Sequence, residues 1–411
     1  MLALYRRLPE EVRRCLRPLN LADEVASCLP GRLRADVAAV SDAVRRVALL
    51  RAQRFRLRRL EGHAGGDPLV CLLAMDEGSA RYWRRAFFDE LPRETDLGEV
   101  PALAVPDVAR RRAGQADLSL WQIAWPVGRR AGGPFVPAWV PLGIPTARPL
   151  DAIVTGERSG RDARKNDVRR VLKLGFTTRV TRDPADYESF RTRLFEPYGS
   201  QRFGELFVPL PAYTYRHARR HGALLLVERE GRVVAGSLLE RWRGTLRILA
   251  FGVDPASGVP PGTALAACYY HSIGYAVAEG YPWLSFGTCR PVLTNGVLRY
   301  KRKWGGRLGG PLSWDSFLLR YRNTAGVRSA LTRTPLVLDY GRGCLGALVG
   351  ARGDAGRDLD AHLAQLDTPG LASLACLVDP EVEVTPGLTT PHTPLRVVLP
   401  GEVWPAPLLA A

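Results

Sequence analysis

The stretch GALLLVEREGRVVAGSLLERWRGTLRILAFGVD, residues 222–254, decides the fold. It holds three apolar runs rich in Leu, Val and Ile, separated by short turns at Glu230-Gly231-Arg232 and at Arg243-Gly244. Apolar runs of this length joined by glycine turns predict three consecutive antiparallel β-strands. Downstream, SGVPPGTAL (257–265) predicts a loop that opens a helix, and WLSFGTCRP (283–291) predicts a further strand.

Upstream of these strands, SGRDARKNDVRRVLKLG (159–175) predicts a helix. Ser159 and Asp162 resemble a capping pair, and Gly175 is a suitable stop. Four basic residues spaced four apart form one stripe on this helix: Arg161, Lys165, Arg169 and Lys173. Like charges at this spacing weaken a helix. We therefore expect either acidic and tertiary partners or a bound anion to offset the repulsion.

The chain divides by pattern into four predicted segments. Residues 1–60 place apolar residues three and four apart and predict helices. Residues 61–150 predict an α/β half, and their Pro- and Gly-rich part, 126–150, predicts a crossing segment rather than a core element. Residues 151–335 hold the three strands. Residues 336–411, with strand-like LVLD and helical DLDAHLAQL, form a C-terminal extension to which the sequence assigns no role.

Bulk composition predicts a globular cytoplasmic protein. The 411 residues are 46% hydrophobic and 24% charged, and no apolar run approaches the roughly 18–20 residues of a membrane span. The N-terminal MLALYRRLPEEVRRCLRPL is interrupted too early for a signal peptide. Seven scattered cysteines without a CxxC favour a reducing compartment. The histidines form no HExxH pattern, and His217 and His221 predict a surface pair, so we expect no metal.

A net charge of +17 is compatible with a polyanionic partner such as nucleic acid, anionic lipid or a phosphorylated substrate. Composition offers the plainer explanation. Only four of the 58 basic residues are lysine, so the arginines are a general feature of the chain, and many of them would simply solvate its surface.

The order of three antiparallel strands, a glycine-containing helix start and a further strand resembles the GNAT superfamily of N-acetyltransferases. Within it, the segments SFGTCRP, LTNG and VLRYKRKWGG resemble the branch that includes the Fem-type peptidoglycan-bridge aminoacyltransferases. The resemblance covers about residues 150–325, and residues 50–150 loosely. It implies a mixed α/β fold, with a GNAT-like mixed sheet flanked by helices and two tandem GNAT-like halves, the first degenerate.

The resemblance implies an acyl-CoA donor, such as acetyl-CoA, and a binding site beside the helix start. A helix N-terminus offers unpaired N–H groups and a positive dipole end, which suit a pyrophosphate. The preceding strand can part from its neighbour and leave backbone groups for the pantetheine arm. The predicted cofactor-binding residues are Phe251, Gly252 and Val253 along the arm, and Gly262, Thr263, Ala264 and Leu265 at the phosphates.

One departure weakens this expectation. The family's phosphate loop usually begins with a cationic or amide side chain, where this chain has Val259. Pro260 and Pro261 also remove two amide donors, although proline suits a first helical turn. Coenzyme A could bind with help from arginines elsewhere, or the donor could be an aminoacyl-tRNA. The alternative without a ligand is that SGVPPGTAL is only a loop and a helix cap.

Two of the four lysines, Lys301 and Lys303, lie in the stretch LRYKRKWGG (298–306). In an extended segment they would share one face, with Tyr300 and Trp304 on the other. Because lysine is a compact point charge, one of them would neutralise charge on the donor or on the developing oxyanion. The plainer alternative is that both are surface lysines beside Trp304.

Direct acyl transfer needs a base for the amine and an acid for the leaving thiolate. We predict Glu240 as a base acting through water, and Tyr300 as the acid. Asp254 more plausibly caps a turn. Cys289 with His271 would suggest a nucleophile, but a buried strand cysteine is the default.

The leading hypothesis is an acyltransferase that moves an acyl group from acyl-CoA to an amine by direct attack. The acceptor is a small molecule or an amine of a peptidoglycan precursor or polysaccharide, bound through Arg290, Asn295 and Trp304. The alternatives are an aminoacyl-tRNA-dependent Fem-type transferase, with tRNA the less favoured partner, and a non-catalytic polyanion-binding module on a GNAT scaffold.

Overall fold

The computed structural model describes residues 53–124, 133–155, 161–242, 244–309, 315–340, 344–351, 359–379, 393 and 395–398. They divide into two compact units. The first unit draws on Met1–Val140, Arg290–Asn295 and Gly309–Ala411, and the second comprises Pro141–Cys289 and Gly296–Leu308. The fold class is α/β with two mixed sheets and flanking helices, as predicted.

The described strands are numbered in chain order. They are β1 (Arg54–Ala64), β2 (Asp67–Met75), β3 (Arg93–Pro101), β4 (Leu118–Ala124), β5 (Phe135–Pro137), β6 (Val140–Pro145), β7 (Thr177–Thr181), β8 (Gly222–Arg229), β9 (Arg232–Trp242), β10 (Thr245–Val253), β11 (Trp283–Cys289), β12 (Arg307–Leu308), β13 (Asp315–Tyr321), β14 (Leu336–Asp339), β15 (Leu345–Gly350), β16 (Leu371–Leu377) and β17 (Leu395–Val398).

The described helices are numbered in the same way. They are α1 (Glu77–Phe87), α2 (Val105–Arg111), α3 (Leu150–Thr155), α4 (Arg161–Lys173), α5 (Pro184–Ser189), α6 (Glu196–Phe203), α7 (Ala212–His221), α8 (Pro261–Ala278), α9 (Gly296–Lys303), α10 (Ala325–Arg333) and α11 (Leu359–Leu366). A π-helical segment, Phe190–Phe195, links α5 to α6.

The first unit contains a ten-stranded sheet in the order β17-β16-β15-β14-β5-β13-β4-β2-β1-β3. Strands β14 to β17 lie in the predicted C-terminal extension, yet they continue this sheet. LVLD is strand β14, as predicted, and its Asp339 pairs with Phe135 of β5. The extension therefore supplies core strands to the first unit instead of forming a separate piece.

Two sequence predictions fail in this part of the chain. The predicted helical segment 1–60 ends in a strand, because Arg54–Ala64 pairs with β2 through a tight turn at Gly65 and Gly66, both at positive φ. Residues 1–52 lie outside the described residues. The segment 126–150 contributes strands β5 and β6 rather than only crossing between elements.

The second unit contains a seven-stranded sheet in the order β12-β6-β11-β10-β9-β8-β7. The three predicted strands are confirmed as β8, β9 and β10, which pair antiparallel in sequence. The turns also agree, since Glu230, Gly231 and Gly244 all have positive φ. Helix α8 buries Ala264 to Tyr269 and Ile273 in the core that covers one face of this sheet.

The basic helix is confirmed as α4, which ends just before Gly175 at φ 61°. Ser159 of the predicted capping pair lies outside the described residues. Lys165, Arg169 and Lys173 of the stripe are exposed.

The lysine stretch is helical rather than extended, which corrects the prediction of alternating faces. Leu298, Lys301 and Trp304 are each three residues apart, and all three are buried. A spacing of three places them on one side of a helix. Lys301 therefore points into the core and does not share a strand face with Lys303.

Candidate active site

Strands β10 and β11 part after a short paired region. They run parallel and pair only at Leu246 with Leu284 and at Arg247 with Ser285. Both strands continue for several residues beyond these pairs. A β-bulge in the pairing of β10 with β9, between Ile248 and Ala250, lies where the two strands separate. Bulges re-aim a strand and end pairing, so this one accounts for the parting.

The parted edge of β10 presents backbone groups. The Asp254 N–H donates to the Val234 carbonyl at 2.9 Å, so this residue pair is hydrogen-bonded across β9 and β10. In an antiparallel ladder hydrogen-bonded pairs alternate with non-bonded ones, so Gly252 is also bonded to β9. Phe251 and Val253 consequently direct their N–H and C=O groups away from β9, toward the β11 side.

The side chains of the predicted pantetheine residues are occupied by packing. Phe251 stacks on Tyr269 with ring centroids 4.6 Å apart, and Val253 is buried. A Cβ added at Gly252 would lie 2.7 Å from Leu194 Cβ and 2.8 Å from the Leu194 carbonyl carbon. This stretch can therefore meet a ligand only through its backbone.

The tip of helix α8 follows β10, and most of its amides are used. The N–H groups of Thr263 and Ala264 both donate to the Pro260 carbonyl, at 2.8 and 3.1 Å. Pro260 and Pro261 have no N–H. Gly262, in the same turn, is exposed with open space at its Cβ position. The predicted phosphate contacts of Thr263, Ala264 and Leu265 would have to compete with the helix's own hydrogen bonds.

Lys301 lies at the point where the strands part. It is 5% exposed, and its Nζ donates to the Thr288 carbonyl of β11 at 2.8 Å. Gly287, at φ 74°, lies beside Lys301, and its lack of a side chain leaves space there. A Cβ added there would lie 3.1 Å from the Ile248 carbonyl oxygen and 3.9 Å from Lys301 Nζ. Burial lowers the pKa of Lys301 to about 8.

Lys303 has a different environment. It is half-buried and forms an ion pair with Asp167 of α4. Asp167 belongs to the basic helix itself, and the pair joins that helix to α9. Its Nζ also lies 5.5 Å from the centre of the Tyr300 ring.

Tyr300 and Trp304 belong to an aromatic cluster around the fully buried Tyr269. The centroids of the Tyr300 and Trp304 rings lie 5.4 and 5.5 Å from that of Tyr269. Both Tyr300 Oη and Trp304 Nε1 are buried without a hydrogen-bond partner in the described part of the chain. Burial raises the pKa of Tyr300, so its hydroxyl stays protonated.

Glu240, the predicted base, is 4% exposed and closely held. His217 Nε2 lies 2.9 Å from Oε1, and Arg247 Nε donates to Oε2 at 2.9 Å. Burial would raise the pKa of Glu240, but the His217 hydrogen bond and the Arg247 charge outweigh it and hold the pKa below its usual range. A low pKa makes a weak base. Its role as a base stays a prediction that this arrangement does not favour.

Some of these contacts were missed by sequence reasoning. His217 and His221 do lie together, with ring centroids 4.8 Å apart, but His217 belongs to a buried ion network rather than to a bare surface pair. No local signal links His217 to Glu240, since the contact depends on helix α7 packing on strand β9.

The predicted substrate-binding residues and the predicted Cys–His pair have other surroundings. Arg290 and Asn295 belong to the first unit, where Arg290 lies over the rings of Tyr82 and Trp139. Burial raises the pKa of the Cys289 thiol to about 11 and lowers the pKa of His271 to about 4. A protonated thiol is a poor nucleophile, which agrees with the default of a buried strand cysteine.

No group of three or more His, Cys, Asp or Glu in the described ranges is arranged to hold a metal ion. Among the described helices, none combines the length and apolar character that crossing a membrane requires.

Comparison with solved structures finds distant similarity. L-PGS from Bacillus licheniformis is 14% identical, with 67% of this chain and 88% of that chain covered and a TM-score of 0.34. FemX is 15% identical, with 64% and 87% covered and a TM-score of 0.35. A GCN5-related N-acetyltransferase from Sphaerobacter thermophilus is 19% identical, with 49% and 58% covered and a TM-score of 0.26. No curated protein matches the chain.

A family model gives the assignment. The model described as an acetyltransferase (GNAT) domain matches residues 158–302. This range runs from the basic helix through the parted strands to Arg302 of the lysine helix, so it contains Tyr300 and Lys301 and ends before Lys303 and Trp304. Over residues 158–302, this chain is therefore similar to the GNAT acetyltransferase domain.

Proposed function

We propose that the chain transfers an acyl group from acyl-CoA to an amine by direct attack. The amine nitrogen bonds to the thioester carbonyl carbon, the C–S bond breaks, and the thiolate leaves with a proton. The observation that carries the proposal is the parting of β10 and β11 beside helix α8, inside the GNAT domain. Phe251 and Val253 supply backbone groups for the pantetheine amides.

Lys301 is the residue that we assign to charge stabilisation. Its Nζ carries three N–H donors. Among the described residues, the Thr288 carbonyl is the one group that accepts a hydrogen bond from it. Its Nζ and the Ile248 carbonyl both lie within 4 Å of the position that a Gly287 Cβ would take, where an acyl group held between the strands would be found. A donor fixed in a buried site stabilises a developing oxyanion without reorganisation. Tyr300, whose buried hydroxyl has no partner among the described residues, is assigned to protonate the thiolate.

The acceptor is an amine of a small molecule, a peptidoglycan precursor or a polysaccharide. Arg290, Asn295 and Trp304 stay predicted substrate-binding residues. Of these, Trp304 is fully buried in the aromatic cluster, so it supports the site from beneath the surface rather than touching a free ligand.

The test is release of free thiol from acetyl-CoA and longer acyl-CoAs in the presence of a panel of amines. Lys301→Met should lower kcat/KM about 100-fold, the scale found for loss of one oxyanion donor. Arg299→Gln, on the exposed side of the same helix, should leave it unchanged. The proposal fails if no acyl-CoA binds by calorimetry and none turns over.

A second donor, aminoacyl-tRNA, is favoured by one specific observation. The tip of α8 offers a weak phosphate cradle, because two prolines precede Gly262 and the Thr263 and Ala264 amides are used. Transfer of a labelled amino acid from charged tRNA, with no turnover of any acyl-CoA, would support this alternative.

Pro261→Ala separates the two donors. It adds one amide at the first turn of α8, and a hydrogen bond to a charged group is worth about 1.5 kcal/mol, or roughly tenfold in Kd. Acyl-CoA affinity should therefore rise. Pro184→Ala makes the same change in the first turn of α5 and should leave affinity unchanged. Equal affinities in all three proteins would argue against a phosphate at this tip.

A further inference from the structure

Arg290 of the first unit lies beside two aromatic rings. Its guanidinium carbon lies 4.7 Å from the centre of the Tyr82 ring and 4.3 Å from the centre of the Trp139 ring. Such cation–π contacts hold a guanidinium and reduce its contact with water. The two rings therefore restrict the position of the guanidinium.

The backbone around Arg290 is held in place. The Val292 N–H donates to the Arg290 carbonyl at 2.9 Å, and the Val337 N–H donates to the Pro291 carbonyl at 2.8 Å. Tyr82 is anchored as well, since its ring meets the fully buried Trp83 at 5.0 Å. Trp139 is 41% exposed, so one side of the arrangement opens to solvent.

This guanidinium has no counter-ion among the described residues. It makes no hydrogen bond or ion pair with any of them. Asp76 is the one carboxylate whose charge raises the pKa of Arg290. Both Asp76 oxygens are already engaged, accepting from the Ser79 N–H at 2.9 Å and the Ser79 hydroxyl at 2.8 Å. A partly buried arginine usually has a carboxylate partner, because desolvating an unpaired charge is costly.

We propose that Arg290, clamped between Tyr82 and Trp139, is a binding site for an oxyanion, either a carboxylate or a phosphate group. The guanidinium edge presents paired N–H donors that match either group bidentately. Both ring centres lie within 5 Å of the guanidinium carbon, so the ligand binds the N–H donors that the rings leave uncovered. This site belongs to the first unit and does not depend on the acyl transfer proposed for the second.

The test is calorimetric titration of the full chain at low ionic strength with two probes, inorganic phosphate and acetate. Binding of phosphate alone assigns a phosphate group to the site, and binding of acetate assigns a carboxylate. Arg290→Gln should weaken binding at least tenfold, and Arg290→Lys, which keeps the charge but loses the fork, at least fivefold.

Arg202→Gln is the matched control. Arg202 also lies over two rings, Tyr198 and Phe203, at 5.6 Å each, but it donates to the Tyr198 hydroxyl. This variant should bind like the wild type. Equal binding by the wild type and Arg290→Gln, or no binding of either probe to the wild type, would overturn the proposal.

A second measurement and a second variant test the proposal even if Arg290→Gln misfolds. Ligand binding should change the fluorescence of Trp139, seen as the difference between the wild type and Trp139→Phe. If Arg290→Gln does not fold, Trp139→Leu, which removes one ring and leaves the arginine, should still weaken binding about fivefold. Unchanged binding in a folded Trp139→Leu would contradict the clamp.

Discussion

At the scale of single residues, the buried lysine of the second unit is the most unusual group. Lys301 has a carbonyl partner and forms no ion pair with an acidic side chain of the described residues, and its burial favours the neutral amine. Perturbed groups of this kind are concentrated at functional sites. Retaining a lysine here, where a methionine would fill the space, costs stability that a catalytic role would explain.

This cost predicts a pH dependence of stability. The pKa of Lys301 is about 8 in the folded chain, against about 10.4 when unfolded. Between these values the unfolded chain binds the extra proton, so stability rises with pH, by about 3 kcal/mol in total at most. Lys301→Met should lack this rise. Urea unfolding of both proteins from pH 7.5 to 9.5 measures the difference, and parallel profiles would show that Lys301 has an ordinary pKa.

Glu240 predicts a dependence of the same sign, a stability that rises with pH, but in the acid range. Its pKa is lowered in the fold, so its ion network stabilises above the unfolded value and this contribution is lost as the pH falls through the folded value. Glu240→Gln leaves Arg247 without its charge partner and should cost about 3 kcal/mol at pH 7. Glu279→Gln, at an exposed position, is the control for urea unfolding. A stable Glu240→Gln protein that has lost turnover would instead restore the role of base.

At the scale of elements, the close approach of β10 to the π-helical segment Phe190–Phe195 shapes the site. Gly252 allows this approach, and its missing side chain lets the backbone of Leu194 come within contact distance. The strand is therefore braced on one side while its other edge parts from β11. Packing and bulge together hold the parted edge open.

Two glycine substitutions test this bracing. Gly252→Ala places a Cβ 2.7 Å from Leu194 Cβ and should destabilise by about 3 kcal/mol, as overpacking does. Gly262→Ala has nothing within 4 Å of its Cβ and lies in helix α8, so it should stabilise by roughly 0.5–1 kcal/mol. Thermal unfolding compares them. If Gly252→Ala is as stable as the wild type, the segment is free to move away.

At the scale of the whole molecule, the net charge of +17 is the dominant property. Ion pairs such as that of Lys303 with Asp167 do not reduce this excess, because the net charge already counts every acidic residue. The stripe on α4 keeps Lys165, Arg169 and Lys173 exposed. A non-catalytic polyanion-binding role would use such a stripe.

Salt dependence tests that role. If the stripe contacts phosphates, replacing Lys165, Arg169 and Lys173 by Gln should lower the slope of log K for tRNA against log salt by roughly 0.7–0.9 per lost contact. Replacing the exposed Arg85, Arg93 and Arg111 removes the same charge elsewhere. Equal slopes for both triple variants would make the charge a general surface property.

The sequence alone determined the local elements of this protein. Strands β8 to β10 and helix α4 follow from patterns within a few residues, because apolar spacing and glycine turns act locally. It also showed the resemblance to the GNAT family, because the order of three strands, a helix start and a further strand can be recognised in the sequence. The prediction of an extended lysine stretch was wrong. Its buried residues Leu298, Lys301 and Trp304 are three apart, which is a helical spacing.

Only the tertiary structure decided which distant residues meet. Pairing of β5 with β14 joins positions 135 and 339, the His217–Glu240 bond joins a helix to a strand, and Arg290 finds Tyr82 and Trp139. It also placed Lys301 in the core and used up the amides at the tip of α8. Such contacts depend on packing between elements far apart in the chain, and no local propensity encodes which partners packing brings together.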